Sequence, residues 1–571
     1  MRRNFLKIIC YCCIVCLFAC SHEKDKADII IYDAKVYTVN KEQIRAEAVA
    51  IKADTIMWVG SLAEVEKLKG DATEMIDADG QFLMPGFIEG HGHIHGLGAS
   101  LTYLNLMSVK NWDEIVAMVA EAAKKAKPGE WIIGRGWHQE KWDSAPSKSF
   151  LGYPYHEDLD KVAPNNPVSL SHASGHSVMV NAKALELAGI TSTTPNPSGG
   201  EIVKDKQGNI LGVLEERAQT LVGNAYNDWL HQQTDDKRKA DWAASIKLAE
   251  KECLENGITS FQDAGSSFEQ VKWMQELAKE NKLDIRHWLM VRENFSDLER
   301  NASVFRNLSK GNKHLTVRAV KVSLDGALGS YGAWLLAPYS DRAGWLGQNT
   351  FNIDSLKAIA EFCWRHELQL CVHAIGDRAN RETLNLFGAQ IHSDKKAIDH
   401  RWRIEHAQHV DPADIPVFKQ WDIIASMQSV HCTSDGPFVP KRLGDKRAAE
   451  GAYMWKAFLD QGVVVTNGTD VPVENIDPLA CYYSAVTRKM NNGVAFYPGQ
   501  SMTREQAIYS YTMANAYAAF EEKIKGSIEV GKLADLVLLS NDLISCKEEE
   551  IKNTRVLMTM VGGKVKFNAE K

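Results

Sequence analysis

The chain has 571 residues, 45% of them hydrophobic and 24% charged, a globular composition with enough apolar material for a large core and unlike that of a disordered segment. Its formal net charge is −7 and no long basic run follows the first residues, which excludes nucleic acid as the expected partner. The length allows several domains, although one α/β barrel alone routinely exceeds about 200 residues.

The first twenty residues read as an export signal. Basic Arg2, Arg3 and Lys7 precede an apolar stretch from Ile8 to Ala19 that is too short to span a bilayer comfortably. Leu17-Phe18-Ala19-Cys20 resembles the end of a bacterial lipoprotein signal, after which Cys20 carries the lipid, and residues 21–27 supply a polar tether. The expectation is an exported lipoprotein, anchored to a membrane on the periplasmic or outer surface by an ordinary secretory or a twin-arginine route. Five of the eleven cysteines lie in this segment, and the other six are dispersed without a C-x-x-C pair. A disulfide framework and a cysteine metal site are therefore not expected.

Strand-like runs at 28–32, 46–51 and 55–60, and again at 536–539 and 556–561, predict a small β-sandwich domain built from both chain ends, residues 28–81 and 524–571. Between them, residues 82–523 alternate apolar strands with helical stretches, the pattern of a parallel sheet with crossover helices. Strands are predicted at 82–90, 257–262, 284–291, 317–323, 368–373, 402–406, 422–427 and 462–467. Eight such units give an α/β fold class, a (β/α)8 TIM barrel. The first two strands are far apart because of an insertion rich in Trp, Pro and Gly at about 131–233, where barrel loops build substrate pockets.

The chemistry gathers at strand ends. The first strand runs into His91-Gly92-His93-Ile94-His95. Alternate residues of a strand share a face, so two of these can reach one ion, but periodicity allows 93 with 95 as readily as 91 with 93. Lys321, His373, His406 and Asp470 each stand at or just after the end of an apolar strand. One such residue is ordinarily structural, whereas several together at the catalytic rim of a barrel point to a metal site.

These segments resemble the amidohydrolase superfamily, in particular the amidohydrolase family 3 branch that contains N-substituted formamide deformylases. Pro85-Gly86-Phe87-Ile88-Glu89-Gly90-His91-Gly92-His93 is similar to the family's H-x-H segment and selects His91 and His93, with Glu89 and Gly90 where that segment usually carries Asp and Ser. Lys321 matches the fourth-strand lysine that many members carboxylate to bridge two metals. His373, His406 and Asp470 match the later ligands and the catalytic acid. Gly136-Trp137, Gly175-His176 with Asn181, and Gly212 with Glu216 look like branch motifs within the insertion, and Gly526 to Leu536 resembles the family's return into its β-sandwich.

The resemblance implies a metal-dependent hydrolase of carbon–nitrogen bonds other than peptide bonds. One or two divalent ions, Zn2+ foremost, would be held by His91, His93, Lys321, His373, His406 and Asp470. Such ions lower the pKa of bound water and polarise a carbonyl, so that hydroxide attacks the amide or N-acyl bond of a small molecule. Asp470 would carry the proton to the leaving nitrogen. An unmodified lysine repels cations, so Lys321 is expected as its carbamate. His176 is expected to hydrogen-bond the substrate or the oxyanion. Trp131, Trp137 and Trp142 could line an apolar pocket, although packing is the commoner use of such residues. Two other readings are a deaminase on the same barrel, disfavoured because Ala-Ile-Gly-Asp rather than a glutamate follows His373, and a non-catalytic surface-anchored binding protein, whose signature would be a missing ligand. A homo-oligomer is left open.

Overall fold

In the computed structural model, which describes residues 26–569 except 140–141, 174, 176, 198, 307–312 and 395–397, eight apolar runs lie side by side in parallel. They are β1 (Phe87–Gly92), β2 (Ile258–Ser266), β3 (Arg286–Val291), β4 (Leu315–Ser323), β5 (Gln369–Ala374), β6 (Arg403–His406), β7 (Ile424–Met427) and β8 (Val465–Asn467). Every residue of β1, β3, β6 and β7 is buried, as required where helices such as Phe268–Lys279 and Ile353–His366 cover one face and the barrel interior fills the other. Inward residues alternate along each strand: Ala319 then Lys321 on β4, Cys371 then His373 on β5, Arg403 then Glu405 on β6. Trp288, Met290, Ala319 and Cys371 form an apolar layer beneath the polar ends of the strands.

The ladder runs from β1 to β8 without pairing its two ends, so the barrel is nearly closed. A side chain bridges the seam: Asn515 Nδ2 donates to the carbonyls of Ile88 (2.6 Å) and Asn467 (2.8 Å). Just above, the amide of Asp470 donates to His91 O (2.8 Å) and that of His93 to Val471 O (2.7 Å). This close approach needs glycine, since a Cβ on Gly90 would lie 2.4 Å from Asn467 O.

The predicted strand 82–90 is in fact two strands. Phe82–Pro85 pairs with Lys35–Tyr37 and Leu536–Leu539 in a six-stranded sheet made from both chain ends, and the barrel begins at Phe87. The chain turns at Pro85-Gly86, where a Cβ would collide with the Thr259 side chain. A four-stranded sheet from residues 29–77 shares an apolar cluster with the six-stranded one, with Ile31, Val49 and Ile51 contributed by the first and Leu83, Leu536 and Met560 by the second. At the base of β3, Arg286 ties the barrel to this terminal unit through Nε and Nη2 bonds to Asp535 at 2.7 and 2.9 Å.

The insertion starts earlier than residue 131. Its six-stranded sheet begins at Leu104–Asn105 and ends with Ile210–Glu216. Helix Trp112–Lys125 belongs to it because Trp112, Ile115 and Val119, spaced along one helical face, bury against Ile132, Trp137 and Leu170. Trp137 Nε1 donates to Leu170 O at 2.7 Å. Trp131 and Trp142 pack in the same subdomain, so these three tryptophans belong to the packing of the insertion. Among the described residues no helix is long and apolar enough to cross a membrane.

Candidate metal centre

Six of the strands converge on one polar cluster at their C-terminal ends. The ligand atoms of His91, His93 and Asp470 all lie within 4.8 Å of one another, and so do those of His406, His431 and Asp470. Asp470 Oδ1 stands 3.6 Å from His91 Nε2 and 3.4 Å from His93 Nε2, while its Oδ2 stands 3.6 Å from His431 Nε2. The His406 ring is 4.8 Å from that of His91 and 4.3 Å from that of His373, centroid to centroid. His91 Nε2, His373 Nε2 and Asp470 Oδ1 are buried without a hydrogen-bond partner. Orphaned buried atoms carry a desolvation cost, and here all three are nitrogen or oxygen donors suited to a divalent ion.

The surrounding shell fixes which nitrogen faces inward. Glu405 accepts the Nδ1 proton of His91, leaving the Nε2 lone pair toward the cluster. Glu405 is itself held by Arg403 Nε at 2.5 Å, and Arg403 by Gln262 Oε1 at 2.6 Å. His406 Nδ1 donates to Gln428 Oε1 at 2.7 Å, and Gln428 Nε2 is anchored on Ser426 O at 3.2 Å. Asp325 accepts from the amides of Trp334, Ile375 and Gly376 at 2.8–3.0 Å, which pins the loop just beyond His373.

Burial dominates the electrostatics. It pulls His91 down to about 4 and His406 to about 3, with neighbouring positive charge adding to the effect, and it depresses His373 as well. These imidazoles stay neutral, the form that binds metal. Burial also lowers Lys321 to about 8, against the pull of Glu405 and with help from Arg292. For Asp470 burial opposes the charge, but His431 and His93 outweigh it and keep the carboxyl well below its usual range. His431 is the complement: burial is overcome by Asp470 and Glu474, which raise it to about 10.

His91, His93, Lys321, His373, His406 and Asp470 all stand at this rim. His95 turns away, its Nδ1 paired with Ser245 Oγ at 3.1 Å, so the geometry separates it from the other two histidines. His176 and Cys20 lie outside the described residues. Asn181 accepts from the amides of Val168 and Ala184 and donates to Ala163 O and Asn166 O, and Gly212 has φ +94° with its Cβ position 2.5 Å from Val180 O. Both build the insertion. Glu216 ends its last strand at φ +47°.

Sequence reasoning missed His431, Glu405, Arg403 and Arg135. His431 follows β7 as the other ionisable residues follow their strands, so the same signal was present. Arg135 leaves the insertion's strand Ile132–Trp137 and donates through Nη2 and Nε to Pro472 O at 2.7 and 3.2 Å, which clamps the insertion onto the segment that carries Asp470.

Known proteins share this arrangement of chain. The amidohydrolase family pattern matches residues 74–567. Protein LONG AFTER FAR-RED 3 of Arabidopsis thaliana is 31% identical over 554 residues, covering 94% of this chain and 91% of its own. The N-substituted formamide deformylase of Arthrobacter pascens is 26% identical over 555 residues, covering 95% and 98%. An uncharacterized metal-dependent hydrolase from Pyrococcus horikoshii OT3 superposes with a TM-score of 0.74 at 25% identity, covering 91% of this chain and 99% of its own.

Proposed function

The chain belongs to the amidohydrolase family, and on that premise we propose that it hydrolyses the carbon–nitrogen bond of a small amide or N-acyl compound at the cluster around Asp470. The observation that carries this reading is the convergence of His91 Nε2, His373 Nε2 and Asp470 Oδ1 as buried atoms without partners. His91, His93, Lys321, His373, His406 and Asp470 would hold one or two divalent ions, Zn2+ being the best match to a nitrogen- and oxygen-rich set. When bound, such an ion supplies Lewis acidity that activates water and polarises a carbonyl.

The chain's own residues do the rest. Asp470 is anionic at neutral pH, so it can take the proton of the attacking water and pass it to the leaving nitrogen. His431, cationic beside Asp470 Oδ2, holds the carboxylate in place and balances its charge. Glu405, Arg403 and Gln428 keep the ring nitrogens of His91 and His406 aimed. Lys321, lowered to about 8 by burial, offers the neutral amine that adds carbon dioxide with loss of a proton, and the resulting carbamate replaces a repelling cation with two oxygen donors. A deaminase is less well supported. Asp377, the carboxylate that follows His373, is engaged in accepting from the amides of Leu336 (2.8 Å) and Arg378 (2.9 Å).

Purified protein loaded with Zn2+, Mn2+ or Co2+ should release an acid and an amine from at least one member of a panel of N-acyl amines, N-acyl amino acids and cyclic amides. Chelation should abolish that turnover. Ammonia as the product would favour deamination, and no product at all would favour a binding protein. Native mass spectrometry should find one added carboxyl group, absent from Lys321→Ala. We further propose that the chain is cleaved before Cys20 and that Cys20, then its first residue, is lipidated. Labelled palmitate should enter the full-length chain, and incorporation that persists in Cys20→Ala would reject the anchor.

A further inference from the structure

We propose that the substrate carries a carboxylate, on either its acyl or its amine half, and that Arg292 and Arg217 bind it on the β3–β4 side of the cluster. This rests on the hydrolase reading for the reacting bond but not for the binding subsite.

Arg292 is the first residue beyond β3. Val291 pairs with Val320, so Arg292 comes level with Lys321 on the neighbouring strand, about 4.8 Å away at the backbone. Its Nη2 donates to Ser323 Oγ at 3.2 Å, and Ser323 pairs with His373 across β4 and β5. Arg217 reaches the same spot from the insertion. It follows strand Ile210–Glu216 and donates through Nη2 to Thr350 O at 2.9 Å. Thr350 in turn donates from Oγ1 to Ser323 O at 3.1 Å and from its amide to Leu324 O at 2.7 Å. Two guanidinium groups from distant parts of the chain therefore bond to Ser323 and to its hydrogen-bond partner Thr350, and Ser323 is in register with His373.

Both arginines are solvent-exposed, and among the described residues neither has a carboxylate within 4.0 Å. Burial nonetheless lowers the pKa of Arg292. Arg286 and Arg442, which also join parts of the fold, are by contrast charge-paired, with Asp535 and Asp341. Two cations left without carboxylates beside the cluster match the fork geometry of a ligand carboxylate. They also offset the repulsion that anionic Asp470 would exert on such a ligand.

The test separates binding from turnover by using metal-loaded Asp470→Asn protein and titration calorimetry with N-formylleucine and its neutral carboxamide. The acid should bind about 10- to 100-fold more tightly than the amide, the range of one or two charge-assisted hydrogen bonds. That preference should collapse to within about threefold when Arg217→Gln and Arg292→Gln are added, and Arg292→Lys alone should restore only part of it, because an ammonium lacks the fork. Metal content is measured in each variant. Equal binding of acid and amide, or no measurable binding of the acid, overturns the proposal. So does a preference that survives both substitutions, which would place the carboxylate on the metal. Turnover of neutral formamides by the wild-type protein is scored separately and bears on the hydrolase reading alone.

Discussion

The two ends of the barrel treat buried charge in opposite ways. At the base, Arg286 and Asp535 meet through two bonds at 2.7 and 2.9 Å, Gly562 N adds a third to Asp535 at 2.8 Å, and Arg286 Nη1 is taken by Lys313 O at 3.1 Å. At the rim, His91 Nε2, His373 Nε2 and Asp470 Oδ1 are equally buried and have no partner, and Asp470 and His406 sit at φ +60° and +74°, a conformation that costs a non-glycine residue on the order of 1–3 kcal/mol. Saturated charge at one end joins layers of the fold. Unsatisfied polar atoms with a strained backbone at the other are what a site for a ligand requires.

The sharpest test is at the rim. Asp470→Asn keeps the side-chain shape but removes the base, so kcat should fall by about 10²–10⁴-fold with a smaller change in KM while the protein stays folded and retains most of its metal. A near wild-type kcat on a verified substrate would remove Asp470 from the reaction.

The base should respond in stability. Asp535→Ala leaves Arg286 buried and unpaired, which should lower the unfolding free energy in denaturant by about 3–5 kcal/mol, with kcat per folded molecule close to wild type. Burial raises the pKa of Asp535, but Arg286 outweighs it and the net shift is downward. The pair's stabilisation is therefore present above the ordinary carboxylate pKa and is lost as pH falls through the depressed value. Wild-type stability should drop in acid below about pH 4, and the variant should lack this component of the slope. The seam between the two ends should show the smallest effect. Asn515→Ala leaves the Ile88 and Asn467 carbonyls unsatisfied and should cost about 1–3 kcal/mol, read by the denaturation midpoint. No loss there would mean that the seam does not depend on this side-chain bridge.

The sequence made the barrel readable because its strands are apolar on both faces and recur with the helices between them. It misplaced the first strand because Phe82-Leu83-Met84 and Phe87-Ile88 are apolar runs joined only by Pro85-Gly86, and the turn there, where glycine leaves room for the Thr259 side chain, carries the chain from one sheet to the other. The residues of the polar cluster were legible one at a time from their positions at strand ends. Glu405 was not, because strict alternation would send it away from His406. The positive φ at His406 breaks the pleat, and both side chains reach His91. His431 carried the same strand-end signal as the rest but lies in helix Ser429–Asp435, where strand periodicity gives no direction. Arg135 and Arg217 make contacts between the insertion and the barrel, and Arg292 a contact between neighbouring strand ends, about which local pattern contains no information.

The unpaired seam gives the ends of the barrel chain a common fate. His91 and His93 leave the first strand and Asp470 follows the last, so an ion shared among them closes a ring that contains all eight strands. A bound ion would then reinforce the hydrogen bonds that already bridge the seam. Amide hydrogens along β1 and β8 should gain their exchange protection with the ion, while those of β3 and β4 draw theirs from the ladder.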